Sequence, residues 1–218
     1  MLRILIADDH EVARRGIRSI LEGHPGWEVC GEAKDGRESV DLARGMKPDV
    51  VLLDIGMPNL NGLEAARQIL AVSPDAAILI LTMHDTDQMV REVLRAGARG
   101  FLLKSDAGRD LIAAVEALQQ QRTYFTTRVS QMVLDGYLSL ENPEEAAAED
   151  FSDALTTRER EVIQLLAEGK TSKEVAVTLS LSVKTAETHR TNLMRKLDLH
   201  SVADLTRYAV RNGIVQVF

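Results

Sequence analysis

The chain has 218 residues, of which 45% are hydrophobic and 27% charged, a composition typical of globular proteins and not of disordered ones. Its longest uninterrupted apolar run, Ala76–Leu81, is far too short to span a bilayer, so we expect no membrane association. The single cysteine excludes an internal disulfide and a cysteine-rich zinc cluster. Because no signal-like segment precedes the first strand-like run, we expect a protein of the reducing cytoplasm.

The formal net charge of −7 is unevenly distributed along the chain. Residues 1–120 contain 14 basic and 19 acidic side chains, residues 121–150 contain 2 and 6, and residues 151–218 contain 10 and 8. This distribution predicts an acidic first domain, a connector and a mildly basic second domain with those boundaries. Within the connector, Thr127–Leu140 has helical apolar spacing, whereas Glu141–Asp150 is acidic and is expected to be an exposed linker. The change from a net negative charge in residues 1–150 to a net positive charge in residues 151–218 is a weak indication of nucleic-acid binding.

The first 120 residues alternate short apolar runs with amphipathic stretches. The runs predict strands at Arg3–Ala7, Trp27–Ala33, Asp49–Leu53, Ala77–Thr82 and Gly100–Lys104. Helical periodicity predicts helices at His10–Leu21, Gly36–Met46, Gly62–Ser73, Thr86–Ala96 and Ala107–Gln120. Continuous runs such as Val50–Leu53 suit strands buried on both faces, so we expect an α/β domain with a five-stranded, parallel, doubly wound sheet.

Polar side chains follow four of these predicted strands, at the edge of the sheet where such folds collect their functional groups. They are Asp8, Asp9, Asp54, Thr82 and Lys104. A hard divalent cation relieves the mutual repulsion of clustered carboxylates, and one carboxylate could then act as the nucleophile in phosphoryl transfer. The lysine would stabilise the charge of the phosphoryl group, and the threonine hydroxyl could hydrogen-bond one of its oxygens. The alternative is that the first two aspartates simply cap the following helix.

The same residues carry a resemblance to the receiver domain of two-component response regulators. The segments are LIADDH from Leu5, LLDIGMPNLNG from Leu52, LILTMH from Leu79 and GFLLK from Gly100. The resemblance implies a flavodoxin-like fold in which Asp54 is the phosphoacceptor. It also implies that Mg²⁺, or Mn²⁺, is bound by Asp9, Asp54 and the backbone carbonyl of Gly56, with Asp8 acting mostly through water. Thr82 and Lys104 take the family's switch and phosphate-contact roles, and Phe101 occupies the aromatic switch position.

The last 68 residues show a different pattern, with helices and no strands. Thr156 with Glu159 and Thr171 with Glu174 are capping boxes, and four helices are expected in an all-α domain. A helix over Ser172–Leu179, a tight turn and a longer helix over Val183–Leu197 read as a helix-turn-helix. The longer helix has an apolar face of Val183, Ala186, Leu193 and Leu197. Its opposite face carries Lys184, Thr188, Thr191 and Arg195, which suits either the major groove of DNA or a solvated bundle surface.

Residues 152–216 resemble the LuxR-type helix-turn-helix domain, on the segments EREV, EGK, KEVA and SVKTAETHR. The resemblance implies contact with base edges or the groove for Lys184, Glu187, Thr188, Thr191 and Asn192. It implies positions near phosphates for Thr185, His189 and Lys196. The whole chain therefore resembles a response regulator of the NarL/FixJ class. The implied partners are a sensor histidine kinase, double-stranded DNA, a second copy of the chain when phosphorylated or on DNA, and RNA polymerase as a further candidate.

Other functions make different demands on the sequence. A phosphatase of the haloacid dehalogenase kind needs a second aspartate two residues after the nucleophile, where this chain has Gly56. A flavin- or dinucleotide-binding domain needs a glycine-rich loop after the first strand, and DDHEVARRG is acidic instead. A regulator that works without phosphorylation usually lacks one of the acidic or lysine positions, and none is lacking here. The helix-turn-helix pattern of the last 68 residues argues against an adaptor that does not bind DNA. We expect no enzyme beyond self-catalysed phosphotransfer and autodephosphorylation.

Overall fold

The computed structural model describes residues 1–83, 86–127, 129–131 and 155–215. The chain divides into two compact units, Met1–Ala146 and Ala147–Phe218, and each is described by itself. The predicted acidic linker Glu141–Asp150 lies outside the described residues, as does most of the predicted helix Thr127–Leu140. Among the described residues, no helix combines the length and apolar character needed to cross a membrane.

The first unit is built around a five-stranded sheet with helices on both faces. The strands are β1 Leu2–Ala7, β2 Trp27–Ala33, β3 Val50–Asp54, β4 Ala77–Thr82 and β5 Gly100–Leu103. The helices are α1 Glu11–Glu22, α2 Gly36–Met46, α3 Gly62–Val72, α4 Asp87–Arg95 and α5 Ala107–Gln119. All neighbouring strands are parallel, in the order β2-β1-β3-β4-β5. The predicted α/β fold class is confirmed.

The central strands are buried on both faces because each face of the sheet has its own apolar layer. One buried cluster joins the sheet to α2, α3 and α4, and the other joins it to α1 and α5. Every residue of β3 and of β4 is buried, which is why these segments read as continuous apolar runs and not as alternating patterns. Because all five strands are parallel, their carboxyl ends lie at one edge of the sheet.

Local signals set the ends of the elements. Asp35, Asn61 and Thr86 each accept a hydrogen bond from a backbone N–H in the first turn of α2, α3 and α4 respectively. The predicted bounds of β2, β4 and α2 are those of the structure, and the other predicted strands and helices of residues 1–120 differ by one residue at one or both ends. For example, β5 ends at Leu103 because Lys104–Asp106 form a 3₁₀ turn that leads into α5.

The second unit contains α6 Thr157–Ala167, α7 Ser172–Thr178, α8 Val183–Lys196 and α9 Val202–Arg211. Both predicted capping boxes are present, and Ser182 and Ser201 cap α8 and α9. Apolar side chains of all four helices form one buried cluster. Val183, predicted to lie on the apolar face of α8, does not join this buried cluster, since 39% of its surface is exposed. It lies in the first turn of α8, before the helix reaches the core at Ala186.

Candidate functional site

The loop after β1 is held in place by contacts to Asp8. Its backbone N–H donates to the carbonyl of Ala33, and its carbonyl accepts a 2.7 Å hydrogen bond from the Arg14 guanidinium. Its carboxylate accepts a 2.8 Å hydrogen bond from the backbone N–H of His10. The side chain is fully buried. The expectation that this aspartate could cap α1 is not what the structure shows, because His10 is the N-cap residue and no side chain there caps the helix.

Asp54 is the last residue of β3, and α3 begins against its backbone. A Cβ atom at Gly62 would lie 2.0 Å from the Asp54 carbonyl oxygen, so only glycine fits at this position without a backbone shift. The N–H of Gly62 donates to the carbonyl of Ile55, which closes the intervening loop. Gly56 lies half-buried in this loop. The phosphoacceptor candidate is therefore located between a buried strand and the start of a rigid helix.

Lys104, which directly follows β5, forms ion pairs with both Asp8 and Asp54. Its Nζ lies 2.7 Å from Asp8 Oδ2 and 2.9 Å from Asp54 Oδ2. Burial by itself would lower the pKa of the lysine, but the contacts with the two carboxylates outweigh it and raise the pKa, so the side chain stays protonated. Burial also raises the pKa of Asp54, and Asp8 and Asp9 add to that effect while Lys104 opposes it.

The donor atoms at this edge fit a hard divalent cation. Asp8, Asp9, His10 and Asp54 each present one ligand atom, and these atoms all lie within 4.8 Å of one another. Three of the four are carboxylate oxygens, the donors that Mg²⁺ prefers. His10 was not among the predicted site residues, although its Nδ1 lies 2.8 Å from Asp9 Oδ1. Its position directly after the acidic pair was the available signal. No such signal pointed to Arg14.

The two predicted switch residues lie on adjacent strands. Thr82 is the last residue of β4, so it lies at the same edge of the sheet as Asp54, the last residue of β3. Its side chain is fully buried. Phe101 is fully buried in β5, where it pairs with Ile80 of β4.

In the second unit, the predicted DNA-contacting residues lie on α8 and share an exposed surface. Those exposed are Lys184, Thr185, Glu187, Thr188, Thr191, Asn192 and Lys196, whereas His189 is half-buried. Some of them already have partners within the domain. The Thr188 hydroxyl donates to the carbonyl of Lys184, and Lys196 Nζ lies 2.8 Å from Glu159 Oε2 on α6. The sequence pattern did not indicate that last pair.

Both units match known protein families. Residues 4–116 match the response regulator receiver domain family, and residues 153–209 match the family described as bacterial regulatory proteins, luxR family. The transcriptional regulatory protein LiaR of Bacillus subtilis is 39% identical over 215 residues, which cover 99% of this chain and 100% of LiaR.

Solved structures give the same assignment. RcsB from Salmonella enterica serovar Typhimurium, solved bound to promoter rprA in the presence of the phosphomimetic BeF3⁻, is 29% identical with a TM-score of 0.59, covering 95% of this chain and 97% of that chain. A structure of two RcsB dimers bound to two parallel DNAs is 27% identical with a TM-score of 0.57, covering 97% of this chain and 98% of that chain. The chain therefore belongs to the response regulators of the NarL/FixJ class and is a DNA-binding transcriptional regulator of a two-component system.

Proposed function

We propose that Asp54 accepts a phosphoryl group from a sensor histidine kinase and that this modification controls DNA binding by the second unit. The observation that carries the proposal is the ion pairing of one protonated lysine, Lys104, with both Asp8 and Asp54 at a cluster of carboxylates. A purely structural ion pair needs one carboxylate, whereas this cluster gathers three and so favours a site built to hold additional positive charge and a phosphoryl group.

The chemistry follows from the donors and charges at the site. A carboxylate oxygen of Asp54 forms a bond to phosphorus while the bond from phosphorus to the imidazole nitrogen of the donor breaks, and the imidazole leaves with the electron pair. Lys104 keeps its proton and neutralises charge on the phosphoryl oxygens, and the Thr82 hydroxyl donates a hydrogen bond to one of them. Asp8, Asp9, Asp54 and the carbonyl of Gly56 would hold Mg²⁺ or Mn²⁺, which shields the carboxylates and the phosphoryl oxygens from one another.

The output is DNA binding through the exposed surface of α8. An amphipathic helix with threonine, asparagine and lysine on its free face suits the major groove, since hydroxyl and amide groups can hydrogen-bond base edges. We propose Lys184, Glu187, Thr188, Thr191 and Asn192 for the groove, and Thr185, His189 and Lys196 for the phosphates. Two copies would bind together, since a symmetric dimer matches paired half-sites. RNA polymerase is a candidate partner once the protein is on DNA, and the cytoplasm is the compartment in which these partners meet.

Mass spectrometry after incubation with acetyl phosphate tests the proposal. We expect a phosphoryl adduct on the wild-type protein only when Mg²⁺ is present, and none on Asp54→Asn. Asp41→Asn is the matched control, because Asp41 is an exposed residue of α2. An undiminished adduct in Asp54→Asn would show that another residue is the phosphoacceptor.

A further inference from the structure

The segment that follows α5 is joined to the sheet beside the switch residue. Tyr124 pairs with Gly100 in parallel orientation, at the edge of β5. The backbone N–H of Phe101 donates a 2.9 Å hydrogen bond to the Tyr124 carbonyl, and the N–H of Tyr124 donates a 3.0 Å bond to the carbonyl of Arg99. The start of the connector therefore occupies the open edge of the strand that carries the aromatic switch residue.

The side chains on either side of this pairing alternate as they do in a strand. Tyr124 packs against the buried cluster of α1 and α5, whereas Phe125 packs against the cluster of α2, α3 and α4 on the other face. Thr126 then opens a helical turn, its hydroxyl accepting from the N–H of Val129. Val129 is 1% exposed and belongs to the same cluster as Phe101. The backbone hydrogen bonds of Tyr124 and the packed side chains of Tyr124, Phe125 and Val129 thus anchor both ends of this segment to the first unit.

The path of contacts from Asp54 to this segment is short. Lys104, which pairs with Asp54, directly follows β5, and Phe101 lies on the same short strand. Phosphorylation converts the Asp54 carboxylate into a partner of different charge and size for Lys104. Because a paired strand moves as a unit, a displacement of Lys104 is passed along β5 to Phe101 and to the hydrogen bonds of Tyr124.

We propose that the segment Tyr124–Val129 is the element through which the first unit controls the second, and that phosphorylation of Asp54 weakens its attachment to β5. This inference rests on the proposed function and names the residues that transmit the effect of phosphorylation to the second unit. Tyr124, Phe125 and Val129 are positioning residues: they act on the connector and contact neither the phosphoryl group nor DNA. In this arrangement the packing of Phe125 and Val129 stabilises the state with the free Asp54 carboxylate.

The test uses the full chain and a fixed duplex selected from a random DNA pool by the wild-type protein. With Mg²⁺ and the phosphoryl mimic beryllofluoride, we expect the affinity of the wild-type protein for that duplex to change by about tenfold. In Phe125→Ala/Val129→Ala this response should shrink to less than about twofold, because the segment is already released. Asp54 of this variant should still be labelled by acetyl phosphate, which would show that the site around Asp54 remains folded. Val12→Ala, at an exposed position on α1, is the control and should respond like the wild type.

Hydrogen exchange on the unaltered wild-type chain gives a second measurement that does not depend on the folding of a variant. The amides of Phe101, Tyr124 and Val129 should exchange about tenfold faster with beryllofluoride than without it. Unchanged exchange at these amides, or an undiminished DNA response in the double variant, overturns the inference while leaving the proposed function in place. If the wild-type protein neither binds beryllofluoride nor changes its DNA affinity, the proposed function fails and the inference fails with it.

Discussion

The candidate functional residues of the two units lie in opposite environments. In the first, Asp8 and Asp54 are buried, and Lys104 pairs with both. In the second, the candidate residues of α8 stand on an exposed surface. A buried charge must exchange one partner for another, so reaction at the first site disturbs the fold around it. An exposed side chain can take up a partner without disturbing its neighbours, so the second site can bind DNA with little internal change.

The largest effect is expected from removing Lys104, the lysine that pairs with both Asp8 and Asp54. Lys104→Met should slow phosphorylation of Asp54 by about a hundredfold or more, because the phosphoryl oxygens lose a preorganised positive charge. Rates of adduct formation with acetyl phosphate measure this. Lys34→Met removes an exposed lysine and should leave the rate unchanged. Equal rates for the wild type and Lys104→Met would mean that the ion pairs are structural only.

The next effect concerns the close packing of Gly62 against the backbone of Asp54. Gly62→Ala places a methyl group against the Asp54 carbonyl and should lower the free energy of unfolding by about 2 kcal/mol or more. Urea denaturation followed by circular dichroism gives the value. In Gly16→Ala the new methyl group meets no atom within 4 Å, and that variant should be about 0.5–1 kcal/mol more stable than the wild type because α1 gains a better helix former. If Gly62→Ala and Gly16→Ala lower the free energy of unfolding by similar amounts, the packing against Asp54 is not the cause.

On the exposed surface, two substitutions should separate specificity from general affinity. Thr191→Ala should change the preference at one base pair by about 1 kcal/mol, as expected for a groove contact. Lys196→Met should weaken binding to all sequences alike and reduce the salt dependence by about one unit, as expected for a phosphate contact. Titrations of several duplexes at several salt concentrations measure both. If the effect of Lys196→Met depends on the DNA sequence, Lys196 does not act as a phosphate contact.

The smallest effect is expected from the pair between Lys196 and Glu159. Burial alone would raise the pKa of Glu159, but hydrogen bonds from Lys196 and Thr156 outweigh it and lower the pKa below its ordinary value of 4.5. A lowered folded-state pKa means that the stabilisation is present above pH 4.5 and is lost as the pH falls through the folded value. The loss should be about 1 kcal/mol or less.

Glu159→Gln is a suitable comparison for this pH effect because glutamine also serves in a capping box. The second unit of this variant should show a smaller loss of stability below pH 4.5 than that of the wild type, as measured by acid titration of its thermal unfolding. If both proteins lose the same stability on acidification, Glu159 is not the group responsible.

The difference between the two environments also shows what the sequence could predict. Strands such as β3 and β4 are wholly buried, so their composition alone marked their position, and the carboxyl ends of parallel strands placed Asp54 and Thr82 at one edge. The roles expected of Asp54, Thr82 and Lys104 came from the resemblance to the receiver domain family. Helix ends were legible because caps such as Thr156 with Glu159 are local.

Other features depend on contacts that have no local signal. The attachment of Tyr124 to β5 involves one residue, too few for an alternating pattern. The pair between Lys196 and Glu159 joins helices far apart in the chain. Periodicity assigned Val183 to the apolar face correctly by angle, but it carries no information about how far along α8 the core extends.

The ion pairs of Lys104 have a consequence for synthesis of the protein. Asp8 follows the first strand and Lys104 follows the last, so nearly all of the sequence that forms the sheet lies between the two residues. Contacts between such distant parts of a chain form late in folding, because a large loop must close before they can be made. A nascent chain emerging from the ribosome can thus present Asp54 long before the charge arrangement around it exists. The ion pair of Asp54 with Lys104 can form only after β5 has been made and added to the sheet.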